Sequence, residues 1–210
     1  MKFFKNFIIR KFYELFYFSK KTQRTTSWLG VRTRKIPLDL WVFQEIIYET
    51  QPDLIIETGT KYGGSALFMA TILDALGQGR IITIDIKPKS PLPEHPRIAY
   101  LVGSSTDYSV VEKLKEMIKP GDGVMVILDS DHSRDHVLRE LKIYSKFVTP
   151  GNYLIVEDTN EINYYGTPIL GKSAKEALDD FLRKEKDFEA DRTREKFIIT
   201  ANPGGFLKRK

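Results

Sequence analysis

Five short apolar runs constrain this chain most: 53–59 (DLIIETG), 80–86 (RIITIDI), 97–103 (RIAYLVG), 123–130 (GVMVILDS) and 152–159 (NYLIVEDT). Each is continuous in Ile, Val and Leu rather than alternating, the pattern of strands covered on both faces in a parallel sheet. The stretches at 64–76, 110–118, 133–147 and 173–185 read as helices, and LDLWVFQEII (38–47) as a helix leading into the first run, with Trp41 and Phe43 in its packing. Parallel neighbours need crossovers, so the body is a series of strand–helix units. The end of the chain differs. FIIT (197–200), ANPGG and FLKR (206–209) read as strand, turn and strand, which predicts an antiparallel hairpin closing the sheet.

The 210 residues suit one α/β domain with an appendage. The absence of cysteine excludes disulfide scaffolds, zinc ribbons and thiol nucleophiles. The net charge of +5 is unevenly spread: residues 1–35 hold ten Lys/Arg and one acid, whereas the remainder holds 23 basic and 27 acidic residues. A slightly acidic body argues against nucleic acid as a partner. Residues 1–22 are expected to form a basic aromatic helix, 23–52 a linker and lead-in helix, and 53–210 the main domain. Within 1–18, Phe3, Phe4, Phe7, Ile8, Phe12, Leu15 and Phe18 share one broad helical side. That side either packs on protein, its own domain or a second copy in a homo-oligomer, or rests peripherally on an anionic membrane. The stretch is too short and too charged to span a bilayer or to serve as a signal peptide, so a cytoplasmic protein is expected, at most peripheral at the inner membrane face.

Ligands of open parallel sheets bind beyond the carboxyl ends of the strands. The residues there are Glu57-Thr58-Gly59-Thr60, Asp85, Gly103-Ser104-Ser105, Asp129-Ser130-Asp131-His132 and Glu157-Asp158. Acids finish four of five runs, and like charges at one edge repel unless a cation or ligand hydroxyls accept them. The turn E-T-G-T-K-Y-G-G-S-A (57–66) lets a ligand approach backbone and free N–H groups at a helix start. It is neither G-x-G-x-x-G nor a phosphate loop. Asp85 suits a bidentate grip on ribose hydroxyls. His136 reads as helix surface and His95 as loop.

The order E-x-G-x-x-x-G-G-S, Asp85, G-S-S-x-D (103–107) and L-D-S (128–130) resembles a class I S-adenosylmethionine-dependent methyltransferase. W-L-G (28–30), K-I-P-L-D-L-W (35–41), I-I-E-T-G-T-x-x-G-G-S-A-L (55–67), V-I-L-D-S-D-H (126–132), Y-L-I-V-E-D-T (153–159) and N-P-G-G-F-L-K-R (202–209) resemble the cephalosporin hydroxylase family, which has that fold and is related to rhamnosyl-type sugar O-methyltransferases. The resemblance implies a Rossmann-like three-layer sandwich around a mostly parallel seven-stranded sheet. It implies that Glu57, Gly59, Thr60, Gly63, Gly64 and Ser65 contact the amino-acid part of S-adenosylmethionine. By the same resemblance, Asp85 holds the ribose, Ser104 and Ser105 flank the adenine, and Asp129 belongs to the cofactor's surroundings. Similarity to cation-dependent catechol-type O-methyltransferases further implies Mg²⁺ on Asp129, Glu157 and Asp158, a hard-oxygen set. His132 would then be the catalytic base beside Asp129, with Asp131 orienting it or standing behind the metal.

The expected function is Mg²⁺-dependent methyl transfer to a hydroxyl of a small molecule or glycan. The alternatives are a hydroxylase or oxidoreductase partner, or a silent membrane-docked scaffold. Residues 160–172, with Tyr164 and Tyr165, are expected to cover the substrate. Trp28, Arg32 and Lys35 are expected over the cofactor or at a subunit interface.

Overall fold

In the lead-in, a helical turn Thr22–Thr25 (α1) is followed by a two-stranded ribbon, Ser27–Trp28 (β1) with Val31–Arg32 (β2), and then by Pro37–Thr50 (α2). Pro37 sets the start of α2, where its missing N–H costs nothing. The ribbon is fixed to the body through Trp28. Its indole donates to Thr71 Oγ1 (3.1 Å) and packs edge-on against Phe68, with centroids 4.9 Å apart. These coordinates are a computed structural model that describes residues 7, 8, 11, 12, 15, 22–160 and 173–210. The expected helix over 1–18 falls outside the described residues apart from those five positions, and the expected covering loop falls outside except for Asn160.

The body alternates strand and helix: Leu54–Thr58 (β3), Gly64–Leu76 (α3), Arg80–Asp85 (β4), Ile98–Val102 (β5), Tyr108–Met117 (α4), Val124–Leu128 (β6), Arg134–Tyr144 (α5), Tyr153–Val156 (β7) and Ala174–Lys184 (α6). All five apolar runs are strands. β3, β6 and β7 are buried at every residue, as strands covered on both faces must be. Phe188–Ala190 (β8) and Phe206–Arg209 (β9) complete a seven-stranded sheet of order β5-β4-β3-β6-β7-β9-β8. Its five N-terminal members pair in parallel, and β9 runs antiparallel to both of its neighbours, β7 and β8. This is the expected α/β sandwich. One layer (α2, α3) packs Phe43, Ile46, Met69 and Leu73 against Ile55, Ile127 and Phe206. The other (α4, α5, α6) packs Leu114, Leu141 and Phe181 against Ile56, Val126 and Leu154.

Two expectations are corrected. FIIT (197–200) is not a strand: β9 pairs instead with β8, Phe188 opposite Arg209. Phe188 fills a buried slot beside Phe181, whereas Phe197 and Ile198 are exposed and Ile198 has φ +70°. Trp41 is exposed too. It sits on the outer side of α2 and donates to Glu45 Oε1 (3.1 Å), while Phe43 is fully buried.

Candidate active site

Strand parity and register together aim the acids. Ile55, Ile81, Met125, Ile127 and Ile155 all face the α2/α3 layer. Continued along the same period of two, Glu57, Asp85, Asp129 and Glu157 share that face as well as the strand ends. Thr58 lies opposite both Ile84 and Leu128, and Leu128 opposite Val156. Backbone bonds extend the register past the strands, from Asp129 N to Thr58 O and from Glu157 N to Leu128 O, both 3.0 Å.

On the β3/β4 side, neutral donors meet the acids. Asp85 accepts from the backbone N–H of Lys61 (2.7 Å) and of Lys87 (2.8 Å). Glu57 is fully buried and accepts from Ser65 Oγ and from Thr83 Oγ1 (2.7 Å). Thr60 Oγ1 lies 2.7 Å from Thr83 Oγ1 and donates to it, since the Thr83 proton is committed to Glu57. Burial pushes the Glu57 carboxyl up, against the pull of Lys35, Ser65 and Thr83. The glycines of this turn have protein neighbours. A Cβ on Gly59 would lie 2.0 Å from the Asp129 carbonyl, and one on Gly64 2.3 Å from that of Arg32. The turn is therefore clasped between β6 and the lead-in. Gly63 caps α3, and Arg32 stacks on Tyr62 at 4.7 Å.

At the β5/β6 ends, Ser104 Oγ lies 3.2 Å from Thr106 Oγ1. Ser105 is buried, its carbonyl accepting from Tyr144 OH (2.8 Å) and its hydroxyl 3.2 Å from His136 Nε2. His136 is therefore not surface. Its Nε2 also lies 3.1 Å from Ser130 Oγ and 3.5 Å from Glu140 Oε1. Glu140 raises the His136 pKa through their hydrogen bond, over the opposing effect of burial. Glu140 is fully buried, and its Oε2 has no hydrogen-bond partner among the described residues.

On the β6/β7 side, charge meets charge. Lys35 is buried and bridges Asp129 Oδ2 and Glu157 Oε1. Burial pulls its pKa down, but Asp129, Glu157 and Glu57 more than compensate, so the ammonium is held charged. Burial, then Asp129, pushes the Glu157 carboxyl well up. Outside this pair, His132 Nε2 lies 3.2 Å from Asp158 Oδ2 and 3.7 Å from Asp129 Oδ1. Among the described residues, Asp129, His132 and Asp158 offer metal-ligand atoms within 4.8 Å of one another. The carboxylates of Asp129 and Asp158 suit a hard divalent cation, with the His132 imidazole beside them. The structure thus groups two of the three expected metal ligands with His132 and turns the third, Glu157, toward Lys35. Asp131 accepts from Ser133 N (2.8 Å) at the entry to α5.

The C-terminal turn supports this side. Asn202 Oδ1 accepts from Asp158 N (3.1 Å), holding Asp158 at φ +54°. Asp39 on α2 accepts from Ala201 N (2.9 Å), and burial pushes its carboxyl up to about 6.

The family described as Rhamnosyl O-methyltransferase/CmcI matches residues 20–210. The chain belongs to this family. A Rhamnosyl O-methyltransferase of Mycobacterium leprae (strain TN) is 36% identical over 204 residues, covering 94% of this chain and 89% of the relative. One of Mycobacterium tuberculosis (strain ATCC 25618 / H37Rv) is also 36% identical, covering 94% and 83%. Among solved structures, CmcI with Mg and SAM superimposes with TM-score 0.67 at 23% identity, covering 89% of this chain and 77% of that one. The MycE methyltransferase with Mg, SAH and mycinamycin VI gives 0.52 at 21%, covering 68% and 41%. These structures share the fold.

Sequence reasoning about this family member missed two residues at the site. Thr83 left a trace, as the polar residue in RIITIDI on the same parity as Glu57 and Asp85. Glu140 left one too, since it occupies the buried stripe of α5 with Val137, Leu141 and Tyr144. Lys35, expected over the cofactor or at a subunit interface, instead bridges Asp129 and Glu157, a pairing that no spacing announces.

Proposed function

We propose that this chain is an S-adenosylmethionine-dependent, divalent-cation-assisted O-methyltransferase whose acceptor is a sugar hydroxyl of the rhamnosyl class. The observation that carries this reading is the meeting of two acid systems on one face of one rim: Glu57 and Asp85 on neutral donors, and Asp129 and Asp158 with His132 beyond them. Membership in the family supports the reaction class, and the names of the mycobacterial relatives support the acceptor.

In the reaction, the acceptor oxygen forms a bond to the methyl carbon of S-adenosylmethionine as the carbon–sulfur bond breaks and its electron pair returns to sulfur. Asp85 holds the ribose, with its orientation fixed by two backbone N–H groups. The Gly59–Ser65 turn holds the amino-acid end. Asp129 and Asp158 would hold the cation, which supplies Lewis acidity to the acceptor hydroxyl and fixes its position. His132 Nε2, 3.2 Å from Asp158 Oδ2 and 3.7 Å from Asp129 Oδ1, takes the acceptor's proton. Alignment of acceptor and methyl carries much of the barrier reduction.

The test is transfer of labelled methyl to a panel of rhamnosyl glycosides and non-sugar phenols, with Mg²⁺ and with excess EDTA. The reading expects Mg²⁺-dependent product at a sugar hydroxyl. Product formation undiminished in EDTA removes the cation, and labelling confined to non-sugar acceptors removes the acceptor class.

A further inference from the structure

We propose that Lys35 and the divalent cation contest one carboxylate, Asp129, so that this buried lysine sets how tightly the cation is held. The inference deepens the proposed function and rests on its cation reading. Lys35 belongs to the lead-in, ahead of every strand of the main sheet, yet is only 5% exposed. Ile36, itself buried, and Pro37, which opens α2, fix the backbone that delivers it. Its ammonium bridges Asp129 Oδ2 and Glu157 Oε1, and Glu57 lies near enough to act on it.

Asp129 therefore serves two masters. One oxygen is bound by Lys35, and the other faces His132 and Asp158 in the group that would hold the cation. Glu157 is the acid following β7 on the same rim, but its Oε1 is engaged by Lys35. Buried carboxylates this close are costly without a positive partner, and Lys35 provides one. A cation arriving on Asp129 meets a positive charge already in place, and attraction to the acids is offset by repulsion from the ammonium. Lysine suits such a contest. Its compact ammonium on a flexible stem can withdraw, whereas an arginine fork would be locked bidentate to the carboxylates. Lys35 is thus a positioning residue: it keeps Asp129 and Glu157 together and yields Asp129 at a cost.

The experiment is Mn²⁺ titration of the full chain with S-adenosylhomocysteine at pH 7.5, followed by electron paramagnetic resonance, for wild type and Lys35→Met. The expected result is Mn²⁺ binding at least about ten-fold tighter in Lys35→Met, with a larger Mn²⁺-induced rise in Tm. Equal or weaker binding in the variant, while wild type binds normally, overturns the contest and leaves the cation reading standing. Binding by neither protein overturns both. A measurement on wild type alone covers the case in which Lys35→Met does not fold: the ¹⁵Nζ resonance of Lys35 shifts when Mg²⁺ saturates the protein. A resonance that stays in place overturns the proposal.

Discussion

The two ends of the acidic rim solve one problem in opposite ways. At β3 and β4, Glu57 and Asp85 are met by hydroxyls and backbone N–H groups from within about 26 residues of sequence. At β6 and β7, Asp129 and Glu157 are met by an ammonium 94 and 122 residues away. Neutral donors leave the first end negative and shaped, fit for a ligand rich in hydroxyls. A charged partner leaves the second nearly balanced, fit for a cation that must compete. A hydrogen bond from a fixed N–H costs little when the ligand arrives, whereas a buried ion pair is expensive to break. The difference predicts that damage to one end spares the other.

The sharpest way to break the comparison is Asp129→Ala. Turnover with Mg²⁺ should fall by about 10³-fold, while calorimetric affinity for S-adenosylhomocysteine changes by less than about three-fold. A parallel loss of both would merge the two ends. Gly59→Ala should destabilise the whole protein by about 3 kcal/mol in urea unfolding, since it combines a positive φ with a Cβ driven into the Asp129 carbonyl. A mild effect would mean that the turn and β6 are less tightly clasped. Asp85→Ala should weaken S-adenosylhomocysteine binding by about ten- to a hundred-fold, the loss of charged hydrogen bonds, with Mn²⁺ binding retained.

The smallest expected effect lies behind the cation end. Asp39 has a folded-state pKa raised to about 6 by burial. Between about 4 and 6 the unfolded chain gives up this proton while the folded chain keeps it. Asp39 therefore makes wild type lose stability as pH rises through that window, by at most about 1.4 kcal/mol per pH unit. Asp39→Asn should flatten that slope in pH-dependent denaturation, while keeping an acceptor for Ala201 N. An unchanged slope would place the titration elsewhere.

The same contrast explains what could be read from residue order. The five strands were legible because burial on both faces demands unbroken apolar runs, and the acids were legible because they end those runs. Asp85 and Glu57 take their partners from nearby positions. The partner of Glu157 was not legible, because Lys35 arrives from the lead-in and no spacing links positions 35 and 157. The final hairpin was misplaced for a related reason. Ile and Phe in FIIT promise a strand, but α2 claims the adjoining turn through Asp39 and Ala201, and β9 takes Phe188–Ala190 instead. His136 looked exposed because its partner Glu140 is itself an acid in a core stripe, a position where sequence leads one to expect an apolar residue.

In the proposed reaction a sulfonium nucleoside and a divalent cation lie side by side on this rim. Paramagnetic relaxation of S-[¹³C-methyl]adenosylmethionine by Mn²⁺ in the ternary complex tests it directly. Strong broadening of the methyl signal, lost in Asp129→Ala with the nucleoside still bound, is the predicted result. A methyl signal that Mn²⁺ leaves sharp in the wild-type complex would contradict it.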